Sequence, residues 1–269
     1  MKKNQSRQAI GVFDSGLGGL TVVKEIMKVL PYEDIVYFGD TARVPYGTKS
    51  REAITHFSQQ NAQVLLKFRV KMIVVACNSC SSYALEKLKK NFSVPIVGVI
   101  LPGVKKALAK TKNRKIGVIA TKATIHSEAY TKQINKLNPA VNVTAQACPL
   151  FVPLAEEGWF QYKETFLIAQ KYLRAIIKSK SDTLILGCTH YPLLKNVLKR
   201  VVGEKVCLID SAREVAWEVK ELLTKIKALR HPARRPRYQF LISDEPQQFQ
   251  KLAKRFLGRE IESVKKIEV

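Results

Sequence analysis

The sequence predicts an α/β fold of two similar domains, each with a mainly parallel sheet flanked by helices, and an active site in the interdomain cleft. Apolar segments such as residues 72–76 show no alternation with polar residues, and such strands are buried on both faces, as in parallel sheets. Helical segments separate them, which is the pattern of repeated β–α units. The apolar runs that end at Cys77 and Cys188 are alike, so the second half of the chain resembles a second copy of the first.

The first half begins with an apolar strand that stops at Asp14 and leads through a glycine-containing loop into a helix. Strands and helices alternate from there on. The predicted strands of this half are residues 9–13, 35–38, 72–76 and 96–99, and its predicted helices are residues 20–30 and 50–68.

The second half starts near Pro102 and repeats the alternation before a C-terminal tail. Its predicted strands are residues 116–120, 141–145 and 183–186, and its predicted helices are residues 127–137 and 163–177. The tail adds a helix at 212–223, a strand at 238–242 and a helix at 247–257. We expect a first domain of residues 1–98 plus 212–269, with Asp14 and Cys77, and a second domain of residues 99–211, with Cys188 and His190.

The composition is typical of a soluble protein with reduced thiols. The chain has 269 residues, enough for a substantial core, and five cysteines, which is an odd number. It contains no signal-peptide pattern and no apolar run of about eighteen residues, so we expect a cytoplasmic protein without a membrane partner. Cysteines in that compartment remain thiols that are available for chemistry.

The net charge of +24 comes from 46 Lys and Arg against 22 Asp and Glu. Such a charge attracts phosphates and other anions, which makes a nucleic-acid partner one interpretation. The basic residues are spread along the chain, however, and no known nucleic-acid-binding motif accompanies them. A solvated basic surface is the interpretation we favour, and nucleic-acid binding stays an alternative.

Cys77 and Cys188 are the candidate catalytic residues. In parallel sheets, ligands bind beyond the carboxyl ends of strands, where the next helix begins and favours negative charge such as a thiolate. Two such cysteines facing each other across a cleft can remove and return a proton on opposite faces of one carbon. Taken singly, each cysteine also fits the role of a small core residue, and we assign that role to Cys148 and Cys207.

Two further motifs suggest other chemistry. Cys77 and Cys80 form a C-x-x-C motif, but the chain has no second pair at the spacing of a zinc site, so we expect no metal.

The loop after Asp14 resembles a nucleotide-binding loop, but Thr21 stands where its third glycine belongs. We expect this loop to present backbone N–H groups and the Ser15 hydroxyl to a carboxylate, with Asp14 accepting from an ammonium group.

Four segments together resemble the aspartate/glutamate racemase family over nearly the whole chain. These are residues 11–22 (GVFDSGLGGLTV), 37–47 (YFGDTARVPYG), 76–78 (ACN) and 187–194 (GCTHYPLL). The resemblance implies an isomerase that converts L-glutamate to D-glutamate without a cofactor and supplies peptidoglycan synthesis. Aspartate is the alternative substrate, and a homodimer is the family's expected assembly.

The resemblance also implies roles for individual residues. Cys77 would take the α-proton of the D-enantiomer and Cys188 that of the L-enantiomer, assisted by Asp14, by His190 and by a carboxylate that aligns best with Glu156. The implied substrate-binding residues are Asp14, Ser15, Tyr46, Gly47, Asn78, Ser79, Thr189 and His190. For Tyr46 we expect the backbone to matter more than the phenol.

One departure from the family pattern lies beside Cys77. Ser79 and Cys80 stand where the family usually has threonine and alanine. Serine keeps the hydroxyl, so we expect binding to survive. Cys80 places a second thiol one helical turn from the first, which raises the question of oxidation.

Overall fold

A computed structural model describes residues 6–231 and 234–269. Residues 1–5 and 232–233 of the predicted first domain lie outside the described residues. The strands are β1 (Ile10–Asp14), β2 (Ile35–Gly39), β3 (Met72–Val75), β4 (Ile96–Gly98), β5 (Lys115–Ala120), β6 (Asn142–Ala147), β7 (Thr183–Gly187), β8 (Cys207–Asp210), β9 (Tyr238–Ile242) and β10 (Lys265–Lys266).

Helices connect and cover these strands. They are α1 (Leu20–Val29), α2 (Arg51–Lys67), α3 (Asn78–Tyr83), α4 (Leu85–Asn91), α5 (Ile100–Lys110), α6 (Lys122–His126), α7 (Ala129–Leu137), α8 (Phe151–Glu156), α9 (Lys163–Lys178), α10 (Lys195–Val202), α11 (Ser211–Lys225) and α12 (Pro246–Leu257). In the part of the chain given above, no helix is long and apolar enough to cross a membrane.

The strands form two separate parallel sheets with the same internal order. The first sheet has the order β10-β9-β2-β1-β3-β4, and the second has β6-β5-β7-β8. The order β2-β1-β3-β4 is therefore repeated as β6-β5-β7-β8, and the first sheet is extended at one edge by the two strands of the tail. In both sheets the strand that precedes a candidate cysteine lies beside the strand that opens the half.

Apolar residues cover both faces of each sheet, as the continuous apolar strands predict. One face of the first sheet packs against α1, α11 and α12, and the other against α2, α3 and α4. In the second sheet, α8, α9 and α10 cover one face, while α5 and α7 cover the other. The predicted α/β class with mainly parallel, helix-flanked sheets is confirmed.

Several elements were not apparent in the sequence. α5 contains Pro102 and Gly103, but the proline lies in the first turn, where its missing N–H costs no helical hydrogen bond. The helix predicted at 127–137 is α7, which begins two residues later because Glu128 before it adopts a left-handed conformation with φ of 55°. The short helix α6 precedes it and was not predicted. The short elements α3, α4, α8, α10 and β8 were also missed, because few residues carry the periodicity of a short segment.

Candidate active site

A pocket with a volume of about 100 Å³ lies where the carboxyl ends of strands from both sheets meet. Its size suits a small molecule. The lining residues are Ser15, Val44, Pro45, Tyr46, Gly47, Thr48, Cys77, Asn78, Ser79, Thr121, Pro149, Val152, Pro153, Cys188, Thr189 and His190. Cys77 and Cys188 come from different sheets and are each 7% exposed, so the two thiols meet the same small space.

The Cys77 side of the pocket is built at the end of β3. Cys77 is the residue that caps the N-terminus of α3, and its Sγ lies 4.0 Å from the Ser15 Oγ. Cys80, one turn further on, is fully buried beneath it. Burial raises the pKa of Cys80 well above its ordinary value, and a hydrogen bond with Cys77 acts in the same direction. Cys80 is therefore held as a thiol in contact with the Cys77 sulfur.

Asp14 lies at the end of β1, behind the wall that Ser15 forms. Its Oδ2 accepts from the backbone N–H of Gly19 at 2.8 Å, whereas its buried Oδ1 has no hydrogen-bond partner among the described residues. Burial raises the pKa of Asp14, and the charge of His190 opposes that shift. This carboxyl group can therefore accept or hold a proton close to the pocket, although it does not line the pocket in this conformation.

The Cys188 side is built at the end of β7 and carries a hydrogen-bonded relay. The Cys188 Sγ lies 3.8 Å from His190 Nδ1, and His190 Nε2 lies 2.9 Å from Glu156 Oε1. Burial alone lowers the pKa of His190, but the hydrogen bonds to Cys188 and Glu156 outweigh it and raise the pKa to about 10. At neutral pH the ring is an imidazolium that donates from both nitrogens, one to the sulfur and one to the carboxylate.

Polar side chains join the two halves around the pocket. Tyr130 donates to Asn78 Oδ1 at 2.7 Å, and the Ser79 Oγ lies 3.0 Å from the Thr121 Oγ1. In both contacts a residue of α3 meets a residue of the second half. Asn78 and Ser79 are thereby fixed in orientation, with their remaining hydrogen-bonding capacity available to a ligand.

The glycine loop after β1 packs against the residues that follow Cys188. Thr21 donates to the backbone oxygen of Thr189 at 3.1 Å. A Cβ on Gly18 would lie 2.1 Å from the Thr189 Oγ1 and 2.6 Å from the His190 ring, so only glycine permits this approach. The loop therefore serves as a structural contact between the halves as well as a wall of the pocket.

Tyr46 and Gly47 line the pocket from a short 3-10 helix at Tyr46–Thr48. The Tyr46 phenol donates to Asp40 and accepts from Asn61 at 3.2 Å, so its hydroxyl is already occupied. What remains for a ligand is the ring edge and the backbone. Gly47 lies against the Thr121 side chain.

The structure brings most of the predicted site residues to one pocket. Asp14 and Glu156 are the two that lie behind its wall, each next to a residue that lines it. The sequence analysis did not assign seven of the lining residues to the site, namely Val44, Pro45, Thr48, Thr121, Pro149, Val152 and Pro153. Thr121 was identifiable, because it directly follows β5 at the same edge of the sheet as Cys188.

Within residues 6–231 and 234–269, no three His, Cys, Asp or Glu side chains are grouped in a way that would hold a metal ion. The five cysteines are free thiols. The reactive groups that the chain itself presents at the pocket are therefore thiols, an imidazolium and hydroxyls.

The two halves of the chain have the same parallel strand order, and each gives one cysteine at a strand end to the shared pocket. The protein is therefore of a class of α/β proteins that bring two cysteines to one site. The family model described as Asp/Glu/Hydantoin racemase matches residues 10–219. The chain belongs to that family, and it is accordingly a racemase, which is an isomerase.

Individual glutamate racemases are similar to this chain over nearly its whole length. A glutamate racemase of Geobacter metallireducens is 51% identical over 257 residues, which cover 96% of this chain and 95% of the relative. The structure of glutamate racemase isoform RacE1 from Bacillus anthracis superposes with a TM-score of 0.95 at 38% identity, with 98% of each chain covered. Glutamate racemase from Francisella tularensis, solved in complex with D-glutamate, has a TM-score of 0.91 at 40% identity and the same coverage.

Proposed function

We propose that this protein interconverts L- and D-glutamate without a cofactor, with Cys77 and Cys188 as two opposed acid–base groups. The observation that carries the proposal is that both thiols line one small pocket from equivalent strand ends of two different sheets. Relatives at 38–51% identity that are named glutamate racemases, one of them bound to D-glutamate, support glutamate as the substrate.

The reaction follows from placing the α-carbon between the sulfurs. The Cys188 thiolate takes the α-proton of L-glutamate, and the Cys77 thiol gives a proton to the opposite face, which yields D-glutamate. In the reverse direction Cys77 takes the proton and Cys188 gives one. One sulfur must begin as thiolate and the other as thiol, so each turnover leaves them exchanged.

The neighbouring charges support the proton transfer at each sulfur. On the Cys188 side the His190 imidazolium donates to the sulfur and is held by Glu156. On the Cys77 side, Asp14 lies within the electrostatic reach of His190 and carries the unpartnered Oδ1. We infer that Oδ1 accepts from the substrate ammonium or from Cys77 when the substrate is bound.

Substrate binding is assigned to the polar lining. Ser15, Gly47, Thr189, Asn78 and Ser79 line the pocket. We infer that Ser15, Thr189 and the backbone of Gly47 bind the charged groups at the α-carbon, and that Asn78 and Ser79 bind further along the substrate. Pro149, Val152 and Pro153 form the apolar wall that excludes water.

The deciding experiment measures α-proton exchange and racemisation in D₂O for both enantiomers of glutamate and of aspartate, without added cofactor. We expect exchange with glutamate only, lost in Cys77→Ala and in Cys188→Ala and retained in Cys207→Ala, a partly exposed cysteine outside the pocket. Turnover of aspartate instead would change the substrate. No exchange with any of the four amino acids in wild-type protein under reducing conditions would refute the proposal.

The remaining parts of the proposal rest on the family resemblance. We infer a first domain of 1–98 plus 212–269 and a second of 99–211, closing on the substrate; Asp14 and Glu156, which lie behind the pocket wall, are then brought nearer to it. We also infer a cytoplasmic homodimer that supplies D-glutamate to peptidoglycan synthesis. Sedimentation equilibrium tests the dimer, and rescue of a bacterial strain that requires D-glutamate tests the cellular role.

A further inference from the structure

We propose that Phe256 and Arg255, at the end of α12, are positioning residues for the His190–Glu156 pair and so control proton transfer at Cys188. The inference rests on the proposed function. Neither residue lines the pocket, and both belong to the C-terminal tail, more than sixty residues from His190 in the sequence.

Phe256 fixes the plane of the His190 ring. The two ring centroids are 5.3 Å apart, the rings meet at 81°, and Phe256 is 1% exposed. A buried aromatic ring in edge-to-face contact blocks rotation of the planar ring beside it. His190 must keep one plane, because Nδ1 faces the Cys188 sulfur and Nε2 faces Glu156 at the same time.

Arg255 fixes the other member of the pair. Its guanidinium donates to the backbone oxygen of Glu156 at 2.5 Å, at the C-terminal end of α8, where carbonyl groups lack helical partners. Gly158 follows with φ of 77°, and a Cβ there would lie 3.1 Å from the guanidinium carbon. Glycine therefore allows both the turn and the close approach of Arg255.

These contacts cross from one half of the molecule to the other. α12 is anchored in the core of the first sheet by Phe249, Ala253 and Leu257. His190 and Glu156 belong to the second half, with Cys188. The first half therefore orients the group that assists the second cysteine, and a substitution at Phe256 should act first at Cys188, the cysteine that His190 contacts.

Rates alone cannot reveal this one-sided effect. Enantiomers have equal free energy, so any variant must lose the same factor in kcat/KM in both directions. Isotope effects do distinguish the sides. If the Cys188 step becomes slower, removal of deuterium from α-deuterated L-glutamate limits the reaction more, while removal from α-deuterated D-glutamate by Cys77 limits it less.

The test measures deuterium isotope effects on kcat/KM for both α-deuterated enantiomers in wild type, Phe256→Leu and Arg255→Ala. We expect kcat/KM to fall about tenfold in Phe256→Leu. The isotope effect should rise for L-glutamate and fall for D-glutamate. Arg255→Ala should change each of the two isotope effects in the same direction as Phe256→Leu does, but to a smaller extent. Arg255→Lys should restore part of the change.

The matched control is Leu223→Ala, which creates a cavity in the same core. Leu223 lies twelve residues beyond the start of α11, about 18 Å along that helix from the residues near the pocket. It should lower stability without changing the ratio of the two isotope effects.

Unchanged isotope effects in Phe256→Leu, or the same shift in Leu223→Ala, would overturn the inference and leave α12 a packing element. Should Phe256→Leu fail to fold, the exposed Arg255 supplies the decisive variant. Failure of the proposed function itself would be evident separately, because wild-type protein would then not turn over glutamate.

Discussion

The two halves of the active site occupy equivalent places in the fold and differ in chemistry. Cys77 and Cys188 each follow the third strand of a repeated four-strand order and are equally exposed. The Cys188 sulfur contacts the His190 imidazolium, which is hydrogen-bonded to the Glu156 carboxylate. The Cys77 sulfur instead contacts the Ser15 hydroxyl and the Cys80 thiol. The comparison teaches that the parallel sheet determines where a reactive group stands, and that the next few residues determine its charge.

The halves are also electrically linked. His190 carries positive charge at neutral pH because its pKa is about 10, and that charge stabilises the ionised form of Asp14 against the effect of burial. A change on one side should therefore be felt on the other.

The largest effect should come from removing thiol chemistry on either side. We expect Cys77→Ser and Cys188→Ser each to lower racemisation about 10³-fold or more, since a serine hydroxyl is far too weak an acid to replace a thiol. Circular dichroism of the glutamate solution measures the rate. Cys207→Ser is the control and should keep wild-type activity. If Cys77→Ser or Cys188→Ser kept a tenth of wild-type activity, the two cysteines would not be equivalent in the reaction.

The next effect concerns the relay that only the Cys188 side possesses. Glu156→Gln should lower the pKa of His190 from about 10 toward its ordinary value and reduce kcat about 10- to 100-fold. An NMR titration of the ring gives the pKa directly. Glu157→Gln, which changes the neighbouring carboxylate, should have little effect on the His190 pKa or on kcat. Equal effects of the two variants would contradict a specific role of Glu156.

The pH dependence of stability should follow the same pair. The folded-state pKa of His190 is raised, so the pairing stabilises the fold fully below the ordinary pKa of about 6.5 and is lost as pH rises through about 10. We expect wild type to exceed Glu156→Gln in unfolding free energy by about 2 kcal/mol near pH 6.5, and by little above pH 10.5. Urea denaturation at several pH values measures this. A gap that widened with rising pH would contradict the assignment.

The smallest effect under reducing conditions should be that of Cys80. With hydrogen peroxide as oxidant, the two thiols give up two protons and two electrons to form the Cys77–Cys80 disulfide and two waters. With excess peroxide, we expect oxidised wild type to recover with dithiothreitol. In Cys80→Ala the Cys77 sulfenic acid has no partner thiol, so a second equivalent of peroxide converts it to the sulfinic acid, which dithiothreitol does not reduce. Peptide mass spectrometry detects the bond. Cys148→Ala should behave as wild type, and recovery of oxidised Cys80→Ala would refute the role of the second thiol.

The sequence allowed the fold class and the two cysteines to be predicted because both depend on local order. Apolar strands and the residues that end them are adjacent in the chain, so the places of Cys77, Cys188 and the residues next to them follow from the pattern of strands. Thr121 satisfied the same rule and was overlooked for lack of a matching cysteine.

Other features depend on contacts between distant segments. Nothing near Asp14 or Glu156 in the sequence indicates that their side chains lie behind the pocket wall, because that depends on how the halves pack. The contact between Phe256 and His190 likewise joins a tail helix to a strand end of the other half. The Tyr46 hydroxyl is occupied by Asp40, which only the folded loop brings within reach.

The repeated strand order has a consequence for handedness. A catalyst for a pair of enantiomers faces substrates related by a mirror, yet a chain of L-residues contains no mirror plane. Because β2-β1-β3-β4 and β6-β5-β7-β8 share one order, Cys77 and Cys188 hold equivalent places in two copies of one unit. In the proposed reaction, each hand of the substrate then finds a sulfur on its own side. Duplication of one chiral unit thus approximates the reflection that no single unit of protein can provide.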